Sequence, residues 1–120
     1  MECAARQRSM VRYIPDRGDL VWVDFNPQKG HEQANKRPSV VLSPKSYNAK
    51  SSLAIMCPMT SQVKGYPFEV PFAASNISGA ILADQVRSLD WRARSVLFIQ
   101  KLPAEKVREA QEKIIMLITE

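Results

Sequence analysis

Between residues 30 and 42 the chain reads Gly30-His31-Glu32-Gln33-Ala34-Asn35-Lys36-Arg37-Pro38-Ser39-Val40-Val41-Leu42. A glycine-led polar stretch with a histidine, a carboxylate and an arginine runs straight into an apolar, β-branched segment. That order puts a cation and a carboxylate on a loop beside the rigid start of a strand, and phosphate chemistry can use both. A guanidinium stays charged at any working pH and forks two donors onto the oxygens of one phosphate. Thr60, in Pro58-Met59-Thr60-Ser61, adds a hydroxyl able to donate another hydrogen bond.

Several chemistries find no residues here. His31 is the single histidine, so the two-histidine acid/base scheme for cutting RNA is excluded, and no second histidine or cysteine lies at zinc-ligand spacing. The acids are scattered, without the carboxylate cluster of a two-metal phosphodiesterase. There is no phosphate-cradling glycine loop and no nucleophile elbow. An enzyme built from this chain would work without metal or cofactor, using arginine, a carboxylate and hydroxyls. RNA permits so small a set because it carries its own nucleophile, the 2′-hydroxyl. The protein need only position the strand, move protons and stabilise charge on the phosphorane.

The elements that must hold these residues are short. The chain has 120 residues, 45% of them hydrophobic, which suits one domain with one core. Lysine and arginine number 17 against 12 acids, a net charge of +5 that favours a polyanionic or acidic partner. Cys3 lies in a polar N-terminal stretch and Cys57 ends an apolar run, so Cys57 reads as a free core thiol in a reducing cytoplasm. No apolar run approaches a membrane span, and Met1–Ser9 lacks the apolar stretch of a signal peptide.

Leu20–Phe25 reads as a first strand by its alternation, and Asn26–Gly30 as a turn. Pro38–Leu42 follows as a strand with proline at its start. Ser43–Ser52 reads as a polar loop and Leu53–Met59 as a strand covered on both faces. Phe68–Phe72, with Glu69 facing out, Gly79–Ala83 and Val96–Gln100 are further strands, and Ser88–Arg94 suits one helical turn around Trp91. Pro103–Ile118 predicts the one long helix, with Val107, Ala110, Ile114, Leu117 and Ile118 at three- and four-residue steps. Many short strands closed by one helix point to a mainly β (α+β) fold, a small, partly open antiparallel barrel with a C-terminal α-helix.

Five stretches in order carry a resemblance: Gly18-Asp19-Leu20-Val21-Trp22-Val23-Asp24-Phe25, the Gly30 to Ser43 run, Pro58-Met59-Thr60-Ser61, Lys64-Gly65-Tyr66-Pro67-Phe68-Glu69-Val70, and Asp84-Gln85-Val86-Arg87-Ser88-Leu89-Asp90-Trp91-Arg92-Ala93-Arg94. With them the chain, from about Arg12 to Ile118, resembles the MazF/PemK family of bacterial toxins, on its MazF side. The resemblance implies an SH3-like barrel over residues 10–120, with 1–9 a disordered extension. It implies a sequence-specific, metal-independent endoribonuclease cutting single-stranded messenger RNA by 2′-OH attack, leaving a 2′,3′-cyclic phosphate and a 5′-hydroxyl and halting translation. Arg37 and Thr60 fall on the family's catalytic arginine and threonine, and Glu32 on a glutamate whose loss impairs activity. His31, Asn48, Lys64, Asp84, Gln85, Arg87 and Arg94 are the implied RNA-binding positions. Leu82 stands where PemK-type toxins place an arginine, so the PemK assignment does not transfer whole. The implied partners are a second copy of the chain, in a homodimer, and an acidic antitoxin; no cofactor, metal or membrane is implied, and the implied location is cytoplasmic. The alternatives are a gyrase-poisoning toxin on the same barrel, as in the CcdB toxins, and an RNA-binding module that does not cut.

From the residues alone, each position keeps a second meaning. Arg37 also reads as half of a salt bridge at a barrel rim, and Thr60 as an ordinary turn residue. His31 on a polar loop reads as solvated. Arg87, Arg92 and Arg94 form either a solvated basic face or a groove wall. Trp22 and Trp91 are core or interface anchors as readily as base-stacking platforms.

Overall fold

The computed structural model describes residues 13–25, 36–73 and 76–120. The expectations placed on residues 1–9, on the Asn26–Gly30 turn and on His31 and Glu32 lie outside the described residues. Within them, β1 (Asp19–Asp24), β2 (Lys36–Val41), α1 (Lys45–Ser51), β3 (Leu53–Thr60), β4 (Glu69–Ala73), β5 (Ser78–Leu82), β6 (Arg87–Asp90), β7 (Leu97–Lys101) and α2 (Ala104–Thr119) follow in chain order, with a 3-10 turn at Ala83–Gln85. The strands form one antiparallel sheet in the order β4-β5-β3-β2-β1-β7, and β6 pairs with β3.

β3 organises this sheet. Its first half, Leu53–Met56, pairs with β6, and its last residues, Met59 and Thr60, pair with β5. Its middle, Met56 to Pro58, pairs with β2. The sheet thus bends around β3 into a partly open barrel, the SH3-like architecture with a C-terminal helix. Two apolar clusters fill its two faces. Leu20, Val40, Cys57, Met59 and Ile81 pack beneath Val107 and Ala110 of α2, while Val21, Val23, Met56, Leu89 and Trp91 fill the other side. Alternation along β1 divides its side chains between the two clusters, as a strand covered on both faces requires.

Gly18 (φ +93°) turns the chain into β1. Its N–H donates to the Val41 carbonyl at 2.8 Å and its own carbonyl accepts from Leu102 N–H at 2.8 Å, tying β1 to both neighbours. Buried Asp19 reinforces the same corner. It accepts from the Tyr13 hydroxyl, from Asp16 N–H at 3.0 Å and from Lys101 Nζ at 2.7 Å. Burial and the Asp19 contact push the Tyr13 phenol above its ordinary range.

Four expectations change. Ser43–Ser52 is not a loop, since it contains the short helix α1, which ends in left-handed Ser52 (φ 68°). Its one inward residue is a polar Asn48, so no apolar period marks it. Ser88–Arg94 is not a helical turn either. Arg87–Asp90 pairs as β6, and the Asp90 carboxylate then accepts from Arg92 N–H at 3.1 Å and Ala93 N–H at 3.3 Å in a turn. Glu69 does not face out. It is buried and accepts from Lys64 N–H at 3.1 Å and Gly65 N–H at 2.9 Å, backbone donors that replace water. Pro38 is the third residue of β2 rather than its first. β2 meets β3 only from Ser39 onward, so the proline lies where the strand pairs with β1 alone.

Candidate active site and nucleic-acid interface

The two principal candidates come from the neighbouring strands β2 and β3. Ser39 faces Pro58, Val40 faces Cys57 and Val41 faces Met56. Arg37 and Thr60 each lie two residues beyond the Ser39–Pro58 end of this ladder, where Arg37 pairs with Val23 of β1 and Thr60 with Ala80 of β5. Arg37 and Thr60 line one open cleft of about 530 Å³ together with Trp22, Pro38, Met59, Ser61 and the segment Asn76–Ser78. Thr60 Oγ1 accepts from Gln62 N–H at 3.0 Å, which orients the hydroxyl at the end of its strand. β5 reaches this end because residue 79 is glycine. A Cβ there would lie 2.0 Å from the Thr60 carbonyl oxygen.

Arg37 is joined at the end of β1 by two further arginines. The Arg37 guanidinium lies 5.6 Å from the Phe25 ring centroid and that of Arg87 lies 5.1 Å from it. Arg94 Nη1 donates to the Asp24 carbonyl at 3.2 Å and the Phe25 carbonyl at 3.0 Å. Arg94 therefore braces the backbone from which the 26–35 segment departs. Arg92 is engaged elsewhere, stacked 4.5 Å over the Trp91 ring and donating to the Ala49 carbonyl at 3.2 Å.

Asp84 and Gln85 are exposed on the 3-10 turn that follows β5. Burial and the neighbouring Asp84 carboxylate push the Cys57 thiol up to about 12, so this free cysteine is a core residue and no nucleophile. Lys64 is exposed on the loop that Glu69 holds.

Asn48 is not placed to meet RNA. Its side chain is fully buried, donating to the Pro15 carbonyl at 2.8 Å and the Ser43 carbonyl at 3.0 Å and accepting from Ser43 Oγ at 2.6 Å. Its backbone carbonyl accepts from Trp91 Nε1 at 3.0 Å. Asn48 is a polar core residue that pins α1, and Trp91 likewise is an anchor rather than a platform. Phe25 and the Asn76–Ser78 wall were not among the sequence candidates. Phe25 reads as an ordinary strand residue, and only barrel closure reveals what gathers on it. Among the described residues no three histidine, cysteine, aspartate or glutamate side chains converge as a metal site, and no helix is long and apolar enough to cross a membrane.

Comparison with known proteins accords with this fold. Residues 16–118 match the family model described as PemK-like, MazF-like toxin of type II toxin-antitoxin system. The endoribonuclease toxin MazF of Escherichia coli K12 is 50% identical over 107 residues, covering 89% of this chain and 96% of that protein. The crystal structure of MazF from Deinococcus radiodurans superposes with a TM-score of 0.81 at 47% identity, over 91% of this chain and 100% of that one. A MazE–MazF complex from the same organism gives 0.80 at 42% identity, over 90% and 98%. With the match spanning the whole barrel and helix, this chain belongs to the PemK-like, MazF-like toxins of type II toxin–antitoxin systems.

Proposed function

We propose that the chain is a sequence-specific, metal-independent endoribonuclease that cleaves single-stranded messenger RNA and so inhibits translation. The observation that carries this reading is that Arg37 of β2 and Thr60 of β3 line one cleft. In the reaction a base takes the 2′-hydroxyl proton while the 2′-oxygen forms its bond to the adjacent phosphorus. The bond from phosphorus to the 5′-oxygen then breaks, and that oxygen receives a proton. The products are a 2′,3′-cyclic phosphate and a 5′-hydroxyl. Arg37 stabilises the charge that builds on the non-bridging oxygens, and the Thr60 hydroxyl donates to the same group. Glu32 is the carboxylate that the preceding segment supplies.

The toxin is a single domain over residues 10–120 that works in the cytoplasm, where the buried free thiol of Cys57 is at home. It pairs as a homodimer, a reading supported by the apolar end of α2, where Met116, Leu117 and Ile118 stay more than half exposed. An acidic antitoxin is its second partner, in keeping with the +5 charge and with the MazE–MazF complex of its relative.

The test is cleavage of a long RNA by the purified chain in excess EDTA, with the new 5′-hydroxyl ends mapped. We expect full activity, and none on an oligonucleotide with one 2′-deoxy sugar at the mapped site. Cutting of the deoxy substrate, or dependence on added magnesium, would sink the 2′-OH mechanism.

A further inference from the structure

Phe25 follows β1 directly and is only 9% exposed, its ring closing the cluster of Val21, Val23, Met56 and Trp91. Two guanidiniums converge on that ring, Arg37 at 5.6 Å and Arg87 at 5.1 Å from the centroid. They arrive from strands that do not pair with each other. Arg37 stands on β2 opposite Val23 of β1, and Arg87 opens β6 opposite Met56 of β3. The ring is their shared support, and Arg94 fixes the backbone beneath it through the Asp24 and Phe25 carbonyls.

The attraction of each cation to the ring offsets part of the repulsion between two like charges held against one side chain. A phosphate that accepts from both would remove the remainder. We propose that Arg37 and Arg87 form one two-guanidinium oxyanion site for the scissile phosphodiester, with Phe25 as the positioning residue that holds both; this rests on the ribonuclease reading above. A phosphodiester in its ground state carries one negative charge, and the phosphorane carries more. A second guanidinium therefore strengthens its hold as the reaction proceeds and acts on the rate more than on substrate binding. Arginine is required at both positions because a planar guanidinium lies against an aromatic ring and still forks its donors outward, whereas an ammonium is a hydrated point charge.

The test is single-turnover and steady-state cleavage of an RNA oligonucleotide by the full chain, with melting temperatures measured in parallel. We expect Phe25→Leu to lower kcat by roughly tenfold or more while KM moves far less, and Phe25→Tyr to restore most of the rate. Arg87→Ala should fall by about tenfold to a hundredfold, and Arg87→Lys nearly as far. In the Phe25→Leu background Arg87→Ala should add little, because the clamp is already open. Should Phe25→Leu melt early, the surface substitution Arg87→Lys and the rescue by Phe25→Tyr still decide the matter. Additive losses from Phe25→Leu and Arg87→Ala, full activity of Arg87→Lys, or equal activity of the leucine and tyrosine variants would overturn the clamp while leaving the ribonuclease reading standing. Wild-type protein that cuts no RNA overturns both.

Discussion

Under the proposed mechanism, the guanidinium at position 37 would do work that neither a smaller side chain nor a different cation repeats. It stands opposite Val23 of β1, lines one cleft with Thr60 and leans on the Phe25 ring. Arg37→Ala should abolish cleavage with a barrier increase of roughly 3 kcal/mol, the scale of losing one oxyanion donor. Folding should suffer little, since the attraction between guanidinium and ring is worth about 0.5–1 kcal/mol at a partly exposed position. Arg37→Lys should not restore full activity, because a point charge cannot fork two phosphate oxygens. Cleavage rate and melting temperature measured on the same preparations separate the outcomes: an inactive Arg37→Ala with a collapsed melting temperature would support a rim salt bridge instead. Arg37 and Thr60 were marked as candidates by the sequence, since each sits where a polar segment meets an apolar strand, and the fold sets both on one cleft. Phe25 and Arg87 as partners were not, because 62 positions separate them and only the closure of β6 against β3 brings them together. Asn48 misled for the opposite reason: a polar residue in a polar stretch reads as exposed, and only the fold shows its hydrogen-bonding groups satisfied inside.

The strands position the site through one close approach. β5 pairs with the end of β3 so that Ala80 faces Thr60, and Gly79 beside it has φ +156° with its missing Cβ aimed at the Thr60 carbonyl. Alanine at 79 would set a carbon 2.0 Å from that oxygen and 3.0 Å from Met59 Cε, so β5 and the end of β3 must part. An ångström of misplacement is enough to cost about a hundredfold in rate, and we expect a loss on that scale from Gly79→Ala. If the glycine acts through Thr60, the loss should nearly vanish when Thr60→Ala is already present. Rates from the four proteins of that double-mutant cycle give the answer, and independent, additive effects would reduce Gly79 to an ordinary structural residue. Elements with strong periodicity were readable in advance: β1, β3 and α2 fall within a residue or two of their expected bounds. α1 was not, since its seven residues are too few to show a period and its buried face is a single asparagine. Glu69 reads as outward by alternation, yet two backbone donors of the 64–65 turn outweigh the preference for water.

At the scale of the molecule, the basic excess and the placement of the arginines lead to the expectation that substrate and inhibitor compete for one surface. Arg87 and Lys64 are exposed cations, whereas Arg94 is committed to backbone carbonyls, so reversing its charge would disturb the fold as well as the field. If the surface neutralises about four phosphates, log affinity for uncleavable single-stranded RNA should fall with log salt at a slope of about −3. Arg87→Glu should flatten that slope and weaken an acidic peptide in parallel, because both ligands answer to the same local potential. Arg37→Ala should harm cutting more than ground-state affinity, since its interaction grows as charge develops at phosphorus. The deciding measurement is RNA affinity of the wild-type chain across a salt series, using an oligonucleotide with a 2′-deoxy sugar at the cleavage site, with and without a synthetic acidic peptide. Mutual exclusion, with each ligand weakened by the other and by salt, fits one surface. RNA and peptide bound together with neither affinity reduced would mean two separate sites, and inhibition would then have to act through the fold rather than by occupancy.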